Sequence, residues 1–439
     1  MNMLITLLAL IVTLGILITV HEWGHFFVAK KLGVKVLRFS IGFGKAFWSH
    51  TSKSGTEYCL AYIPLGGYVK MLDEREGPVS AEELPFAFNR KNVWARIAIV
   101  LAGPVTNLLF AALAFFVVYM VGVTDFAPVV NQVAPDSVAS QIGIEPQDEV
   151  LAVNGQATPN AQSIRRAFLN DAVKNYEITL KRGNEDYTVL VPHSAFKSAV
   201  DEHFFTDLGL TLGVPAVIGE VLKDSPAAQA GLQSGDQIIA IGDHAVGSWI
   251  EFIKELGNYP NKTTTLTLER SGHTLSLSVT PKEKVEQGQT HAYIGVKVNE
   301  AWLRVSRDNV GNAFIHGFRD MWLYTGLTFK SLGQMFVGGA WHQVSGPITI
   351  AIYAGQTAQQ GFVYFLQFLA LISISLGVIN LLPIPMLDGG HLLYYVFELV
   401  RRKPLSLQTQ QIGLALGLVV LVLLMTLAFY NDVMLLGSK

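Results

Sequence analysis

The sequence predicts a multi-pass α-helical membrane protein with four transmembrane helices, two small inserted α+β domains and a membrane-associated β-hairpin. Half of its 439 residues are hydrophobic and only 15% are charged, a balance typical of membrane proteins. Four uncharged apolar runs are each long enough for a helix to cross roughly 30 Å of hydrocarbon. The long segment between the second and third runs contains an internal repeat, which predicts the two inserted domains.

The four predicted spans are uninterrupted stretches of apolar sequence. They cover about residues 3–29, 97–123, 362–382 and 412–430. The first run could instead be a cleaved signal peptide. It has no basic segment before it and no small-residue cleavage site after it, so a retained span is favoured.

The charge and cysteine content exclude several classes of protein. A net charge of −2 gives no basic field, so nucleic acid is not expected as a partner. The single cysteine, Cys59, excludes an internal disulfide framework and a multi-cysteine zinc site.

Lysine and arginine are concentrated in three short connections of the predicted topology. These cations are Lys30, Lys31, Lys35, Arg38, Arg90, Lys91, Arg96, Arg401, Arg402 and Lys403. The positive-inside rule places those connections on the cytoplasmic side. Both termini and the segment of about residues 124–361 are therefore expected on the outer side.

The outer segment repeats itself at a constant offset of 88 residues. For example, Asp136 recurs as Asp224, and Gly143 recurs as Gly231. Each copy has the pattern of a strand, a short helix, a turn and a strand. The spacing predicts two tandem globular domains at residues 126–213 and 214–300, since it is too long for a solenoid unit.

Two further segments flank the predicted spans. Aromatic and apolar residues at three- and four-residue steps predict an amphipathic helix over residues 305–337, which either lies on the membrane surface or packs against the spans. The first half of the membrane part, residues 1–123, contains a predicted β region at about residues 36–72. Within it, residues 57–71 read as a hairpin-like stretch around residues 64–67, whose backbone must pair either within itself or with another strand.

The first predicted span ends in the run His21-Glu22-Trp23-Gly24-His25. On a helix, His21 and His25 project from one face, one turn apart, where both imidazoles can ligate zinc. Glu22 beside them is a candidate general base. Ionisable side chains at membrane depth are costly and indicate function, which raises the weight of this short pattern.

Zinc requires a third protein ligand, for which Asp388 is the candidate. Pro383 and Pro385 break the preceding helix, and Gly389-Gly390 permit unusual backbone, so Asp388 is expected on irregular backbone within the 386–390 segment. This segment lies in the second half of the membrane part, residues 362–439.

Polar residues on the second and third spans are predicted to reach the same depth as the histidines. The amides of Asn107 and Asn380 could bind the substrate backbone or the developing oxyanion, or could form hydrogen bonds between helices. His391 is expected to support the fold or the ligands rather than to bind the metal, since a catalytic zinc leaves its fourth position to water.

Together these residues resemble the site-2 protease family, peptidase family M50. The resemblance rests on the HEWGH, GPVTN and NLLPIPMLDGGH runs, on the four spans and on the repeated domains. The "SPAAQAGL" run of the second copy is similar to a circularly permuted PDZ domain, and the first copy matches less well, with Gln147 where the second has Gly235. Within the family the chain looks most like the regulator of sigma-E protease branch, whose members carry two PDZ domains.

The resemblance implies roles for individual residues. One Zn²⁺ ion would be held by His21, His25 and Asp388, with Glu22 as the catalytic acid and base. Asn107 and Asn380 would position the substrate. The β-hairpin, including Gly66, Gly67 and Tyr68, would pair with an unwound substrate strand.

The resemblance also implies partners and a location. The expected substrates are single-span membrane proteins: an anti-sigma factor already trimmed by a first protease, and remnant signal peptides. The chain would lie among the lipids of the bacterial inner membrane, with its domain pair in the periplasm and its active site towards the cytoplasm. The domain pair would either bind the new carboxyl terminus of a trimmed substrate or exclude large substrates by size.

Two other functions fit parts of the sequence. A membrane scaffold would use the domain pair to recruit peptides, but that function would not explain an ionisable residue, Glu22, at membrane depth. A metal transporter would use the same histidines and Asp388, but four spans with one acidic ligand make a poor transport path. The oligomeric state is not predicted.

Overall fold

The computed structural model describes residues 3–170, 175–192, 195, 204–286, 289–338 and 346–437. The chain divides into two compact units, which are described separately. The inserted unit comprises residues 122–307, and the flanking unit comprises the chain up to residue 121 and from residue 308 onward.

The elements of the described residues are numbered in chain order. The helices are α1 (Met3–Lys31), α2 (Val93–Val121), α3 (Val138–Gln141), α4 (Ala161–Asn170), α5 (Phe204–Leu208), α6 (Pro226–Gln229), α7 (Trp249–Leu256), α8 (Val310–Gly338), α9 (Pro347–Gln360), α10 (Phe362–Leu381), α11 (Asp388–Arg401) and α12 (Leu407–Gly437). The strands are β1 (Val36–Thr51), β2 (Glu57–Met71), β3 (Val123–Phe126), β4 (Val130–Val133), β5 (Glu149–Val153), β6 (Gln156–Ala157), β7 (Asn175–Arg182), β8 (Glu185–Pro192), β9 (Leu210–Leu212), β10 (Ile218–Val221), β11 (Gln237–Ile241), β12 (His244–Ala245), β13 (Thr264–Arg270), β14 (His273–Val279), β15 (Lys282–Glu286), β16 (Gln289–Tyr293), β17 (Val296–Val298) and β18 (Leu303–Ser306).

Among the described residues, four helices are long and apolar enough to cross a membrane: α1, α2, α10 and most of α12. The predicted spans are confirmed as helices, with shifted ends. Helix α2 begins at Val93 rather than at residue 97 because the Asn92 side chain accepts the backbone N–H of Ala95 at 2.7 Å and caps the helix. It ends at Val121 rather than at residue 123 because Gly122 adopts a φ of 97°.

Helix α2 lies at the centre of the flanking unit and packs against α1, α8, α10 and α11. Small residues allow these approaches: a Cβ on Gly24 of α1 would lie 2.4 Å from the carbonyl oxygen of Ala102 on α2. The buried core between α2, α8 and α10 includes Phe115 and Ile374. This packing holds both α1 and α10 against one central helix.

The predicted amphipathic helix is α8, which begins at Val310 because the preceding residues form strand β18. Its buried face, with Ala313 and Met321, belongs to the core shared with α2 and α10. Phe314 and Trp322 remain more than half exposed. Of the two alternatives for this helix, membrane surface or packing against the spans, the second describes the buried face of α8.

Residues 57–71 do not form a self-paired hairpin; of the two alternatives, pairing with another strand describes the structure. Ser40 lies opposite both Cys59 and Tyr68, and Ile41 lies opposite both Leu60 and Gly67. The two arms of β2 therefore flank the first half of β1 instead of pairing with each other. Gly42 and Gly44, with φ of 94° and 85°, allow β1 to bend back so that its second half also pairs with residues 57–61. Residues 67–71 form one edge of this sheet.

The inserted unit contains two subdomains with the same arrangement of strands. Sheet β6-β5-β7-β8 and pair β4-β9 in the first correspond to sheet β12-β11-β13-β14 and pair β10-β17 in the second. Ser137 and Ser225 cap the equivalent helices α3 and α6. Gln147 adopts the positive φ that Gly235 adopts in the second copy, 75° and 90° respectively. Assignment of both subdomains to the PDZ class stays a prediction.

Each subdomain is braced by one buried carboxylate. Asp148 and Asp236 are fully buried and accept hydrogen bonds from Arg182 and Arg270 at 2.8 Å and 2.6 Å. Burial alone would raise the pKa of Asp148, but the hydrogen bonds from Arg182 and Tyr187 outweigh it and lower that pKa. The equivalent ion pairs hold the strand ends of each sheet to the loop before β5 and β11.

Candidate metal centre

Two histidines from one helix form the first part of the site. His21 and His25 lie one turn apart on the buried face of α1, and their Nε2 atoms are 3.2 Å apart. Their rings meet edge to face, with centroids 4.8 Å apart. Both side chains therefore direct the same ring nitrogen at one point.

Asp388 reaches that point from the far end of the chain. Its Oδ2 lies 3.1 Å from His21 Nε2 and 3.3 Å from His25 Nε2. Asp388 is the first residue of helix α11, so the expectation of irregular backbone at this residue is wrong. The irregular backbone lies just before it, where Met386 has a φ of 90° and a Cβ on Gly389 would lie 2.1 Å from the carbonyl oxygen of Leu382. Gly389 and Gly390 are needed because the turn packs so tightly against the end of α10 that a Cβ at either position would clash with the backbone.

The three side chains fit a zinc ion. Their ligand atoms form a nearly equilateral triangle, with sides of 3.1, 3.2 and 3.3 Å. Two ligand atoms in a tetrahedral zinc site with ordinary bond lengths are about 3.3 Å apart. Two imidazoles and one carboxylate are also a donor set of catalytic zinc sites, which leave one position for water or substrate. Among the described residues, this is the group of side chains that could hold a metal ion.

Glu22 lies in the same cavity, beside the two histidines. The backbone N–H of Val69 is directed at its carboxylate. A Cβ on Gly67 would lie 3.1 Å from Glu22 Cγ, so the edge segment of the β sheet passes directly along this side chain. The structure thus brings together Glu22, the candidate general base, and the edge segment of the β sheet.

The cavity around these groups has a volume of about 810 Å³. Sequence-predicted residues that line it are His21, Glu22, His25, Gly66, Gly67, Tyr68, Asn380, Asp388 and His391. His391 lies in the cavity wall, outside the triangle of ligand atoms. The cavity is large enough to hold several residues of an extended peptide.

The two asparagines occupy different places. Asn380 lines the cavity, and its Nδ2 lies 3.4 Å from His21 Nε2. Asn107 is fully buried, and its Nδ2 lies 3.2 Å from His21 Nδ1, on the opposite side of that ring. A substrate role for Asn380 stays a prediction, whereas the position of Asn107 behind His21 favours contact with the ligand over contact with a substrate.

Sequence reasoning missed several groups around the site. The carbonyl oxygen of Ile99 lies 2.8 Å from His25 Nδ1. A backbone acceptor of this kind cannot be recognised from residue types. In the cavity wall, Arg96 donates to both carboxylate oxygens of Glu398, at 2.7 Å and 3.1 Å. The Arg96 guanidinium also lies 4.9 Å from the ring centre of Tyr395. The signal for this pair was a charged residue in an apolar stretch of each of two helices, Arg96 in the first turn of α2 and Glu398 near the end of α11.

Comparison with known proteins agrees with this geometry. The model of peptidase family M50 matches residues 9–424. The chain is 40% identical to the regulator of sigma-E protease RseP of Salmonella typhimurium over 98% of its length and 99% of that protein. It is also 40% identical to RseP of Escherichia coli K12, over 97% of this chain and 98% of that protein.

The name of a third relative mentions zinc. A Neisseria meningitidis protein, described as a predicted zinc metalloprotease, is 41% identical over 98% of both chains. The matches cover the segments that supply the two histidines, the glutamate and the aspartate of the site. The chain belongs to peptidase family M50 and is a zinc metalloprotease.

Proposed function

We propose that the chain hydrolyses peptide bonds within the membrane-spanning segments of single-span proteins. The observation that carries this proposal is a carboxylate, Glu22, beside three zinc-type ligands in a cavity lined in part by all four of the helices that are apolar enough to span a membrane. A zinc ion held by His21, His25 and Asp388 would supply Lewis-acid chemistry, polarising a peptide carbonyl and lowering the pKa of water.

Glu22 performs the proton transfers of this reaction. Its carboxylate accepts a proton from the water that attacks the peptide carbonyl and then delivers that proton to the departing amine. The backbone N–H of Val69 holds the carboxylate on the side of the sheet edge.

The edge segment at residues 67–71 supplies a place for the substrate backbone. A helical substrate hides its peptide bonds in internal hydrogen bonds, and it must become extended before attack. Pairing with this edge would keep it extended next to Glu22. Positions 66 and 67 of this edge have no room for a side chain of their own, since a Cβ on Gly66 would lie 1.9 Å from the Phe43 ring.

The helices and the relatives support the proposed location and substrates. Four apolar helices and the bacterial relatives indicate an inner membrane protein. The cationic connections support an orientation with the inserted unit in the periplasm and the metal site towards the cytoplasm. Because the relatives are named as regulators of sigma-E, an anti-sigma factor trimmed by a first protease is the proposed physiological substrate, with remnant signal peptides as a second class.

The Glu22→Gln variant tests the chemistry. It should keep its zinc and lose cleavage of a single-span substrate by about 10² to 10⁴-fold, the usual cost of removing a general base. Trp23→Leu, a change at an exposed neighbour on the same helix, should cleave normally. Cleavage by Glu22→Gln at the unchanged rate would show that the mechanism is wrong. Retention of zinc by His21→Ala would show that the ligand set is wrong.

The inserted unit is proposed to select substrates before they reach the cavity. One mechanism is binding of a new carboxyl terminus by the second subdomain, in the peptide groove that its resemblance to a PDZ domain implies, and the other is exclusion of large outer domains by size. Substitutions in the second groove that preserve its fold separate the two. If dependence on the first cut is unchanged, size exclusion remains and carboxylate binding is rejected.

A further inference from the structure

Helix α2 presents one face to both histidines of the site. Residues 99, 103 and 107 are spaced by four and therefore lie on that face, one turn apart. The Ile99 carbonyl lies 2.8 Å from His25 Nδ1, and the Asn107 amide lies 3.2 Å from His21 Nδ1. Between them, Gly103 has no side chain, and a Cβ there would lie 2.3 Å from His25 Nε2. The Nδ1 atom of each ring therefore faces α2.

The Nε2 atoms of both rings point to Asp388, so Nε2 is the nitrogen available to a metal. A neutral imidazole that binds zinc through Nε2 carries its proton on Nδ1, and it binds better when Nδ1–H has an acceptor. The Ile99 carbonyl oxygen is an acceptor for His25. His21 has the Asn107 side chain in the corresponding place.

The Asn107 side chain is suited to accept this proton. It is fully buried, and its Oδ1 has no hydrogen-bond partner among the described residues. A half-turn of the amide about its last bond exchanges Oδ1 and Nδ2, which brings Oδ1 to His21 Nδ1. The backbone of Asn107 is fixed from the other side, because Ser373 of α10 donates to its carbonyl oxygen at 2.8 Å.

We propose that Asn107 is a positioning residue that accepts a hydrogen bond from His21 Nδ1–H, fixing the tautomer and orientation in which His21 binds zinc. This inference rests on the proposed ligand set. It assigns Asn107 to the metal site, as the side-chain counterpart of the Ile99 carbonyl, rather than to the substrate. Both ends of the GPVTN run then serve the metal site: Gly103 leaves space for the two rings, and Asn107 orients the ring of His21.

Zinc affinity of the full-length protein, measured by competition with a chromophoric chelator, tests the proposal without relying on activity. Asn107→Leu keeps the size of the side chain and removes the acceptor, so its zinc affinity should fall by about 10 to 100-fold. Asn107→Asp keeps an oxygen acceptor in the same place and should bind zinc about as well as the unchanged protein. Ser375→Ala, which removes a hydroxyl bonded within α10, is the control.

Two results would overturn the proposal. One is a loss of less than about tenfold for Asn107→Leu. The other is an Asn107→Asp protein that binds as weakly as Asn107→Leu, because shape rather than the acceptor would then matter. If Asn107→Leu does not fold, Asn107→Ala replaces it under the same criteria.

The His21→Ala variant separates this inference from the proposed function. If it keeps its zinc, the proposed ligand set fails. If it loses zinc while Asn107→Leu does not, the ligand set stands and only the role of Asn107 is rejected.

Discussion

At the scale of single residues, the metal site depends on the absence of side chains as much as on their presence. Gly24 lets α1 approach α2, and Gly103 leaves the space that the two imidazoles fill. Gly389 and Gly390 allow the chain to turn back on α10 and bring Asp388 to the histidines. These glycines are not among the residues that line the cavity, yet each affects where a ligand atom lies.

Gly103→Ala should abolish the site. The new Cβ would lie 2.3 Å from His25 Nε2 and 2.7 Å from His21 Cε1, so both rings must move. A displacement of about 1 Å in a catalytic group typically costs about 100-fold in rate. Zinc content and substrate cleavage measure the effect. Gly15→Ala on α1 is the matched control, because nothing lies within 4 Å of its Cβ. Full zinc content in Gly103→Ala would contradict this account of the packing.

The sequence predicted the zinc-type ligand set because chemistry constrains residue type there. His21, Glu22 and His25 form a short helical pattern, and Asp388 stands between prolines and glycines in an apolar run. The Ile99 carbonyl could not be predicted, since a backbone acceptor has no residue signature. The pairing of Arg96 with Glu398, 302 residues apart, depends on how α2 and α11 pack, which neither local pattern contains.

At the scale of elements, helix α9 begins without a cap from its own sequence. Gly346 precedes it and has no side chain to accept the first backbone N–H groups. Asp432 of α12 supplies the missing acceptor: its carboxylate receives the N–H of Gly346 at 2.9 Å and that of Ile348 at 2.8 Å. It also receives the hydroxyl of Thr349 at 2.5 Å. The last span is thereby joined to α9 by a buried charge.

Asp432→Asn should loosen this junction. The amide keeps one acceptor oxygen but turns donors towards the remaining N–H groups, at a cost of about 1 to 3 kcal/mol. Hydrogen exchange at Ile348 and Thr349 should become faster, and the midpoint of thermal unfolding should fall. Thr426→Val, a change on the exposed side of α12, should alter neither. Unchanged exchange at the start of α9 would mean that Asp432 does not cap it.

This junction also explains which elements the sequence could predict. The four spans are long and uncharged, and their composition alone identifies them. Helices α9 and α11 were missed because they are short and because what starts them lies elsewhere, in Asp432 and in the turn before Asp388. The sheet formed by β1 and β2 was only partly predicted, since the pattern of residues 57–71 does not reveal that β1 lies between its two arms.

At the scale of the whole molecule, the two units have separate hydrophobic cores. The inserted unit has one core in each subdomain, built around Phe168 in the first and Phe252 in the second. The flanking unit has a core between α2, α8 and α10 and two smaller clusters, around Ile99 and around Tyr395. Since each unit buries its own apolar surface, each is expected to lose structure under its own conditions.

Acid should destabilise the first subdomain through Asp148. The pKa of this carboxyl group is lower in the folded chain than in the unfolded chain, because Arg182 and Tyr187 donate to it. A group of this kind stabilises the fold above its unfolded pKa of about 4, and its contribution is lost as the pH falls through the folded value. The stability of this subdomain should therefore decrease as the pH is lowered below about 4.

Asp148→Asn removes the titrating group and tests this argument. At neutral pH it should destabilise the first subdomain by about 2 kcal/mol, since the charged hydrogen bonds from Arg182 are lost. As the pH falls below about 4 and then through the lower folded pKa of Asp148, the variant and the unchanged protein should converge, because the carboxylate becomes protonated first in the unfolded chain and then in the folded chain. Hydrogen exchange along β5 and β7, followed against pH, measures both effects. Asp243→Asn, at an exposed acidic residue of the same unit, controls for the loss of one charge. A difference between Asp148→Asn and the unchanged protein that is the same at every pH would show that Asp148 acts through shape and not through its charge.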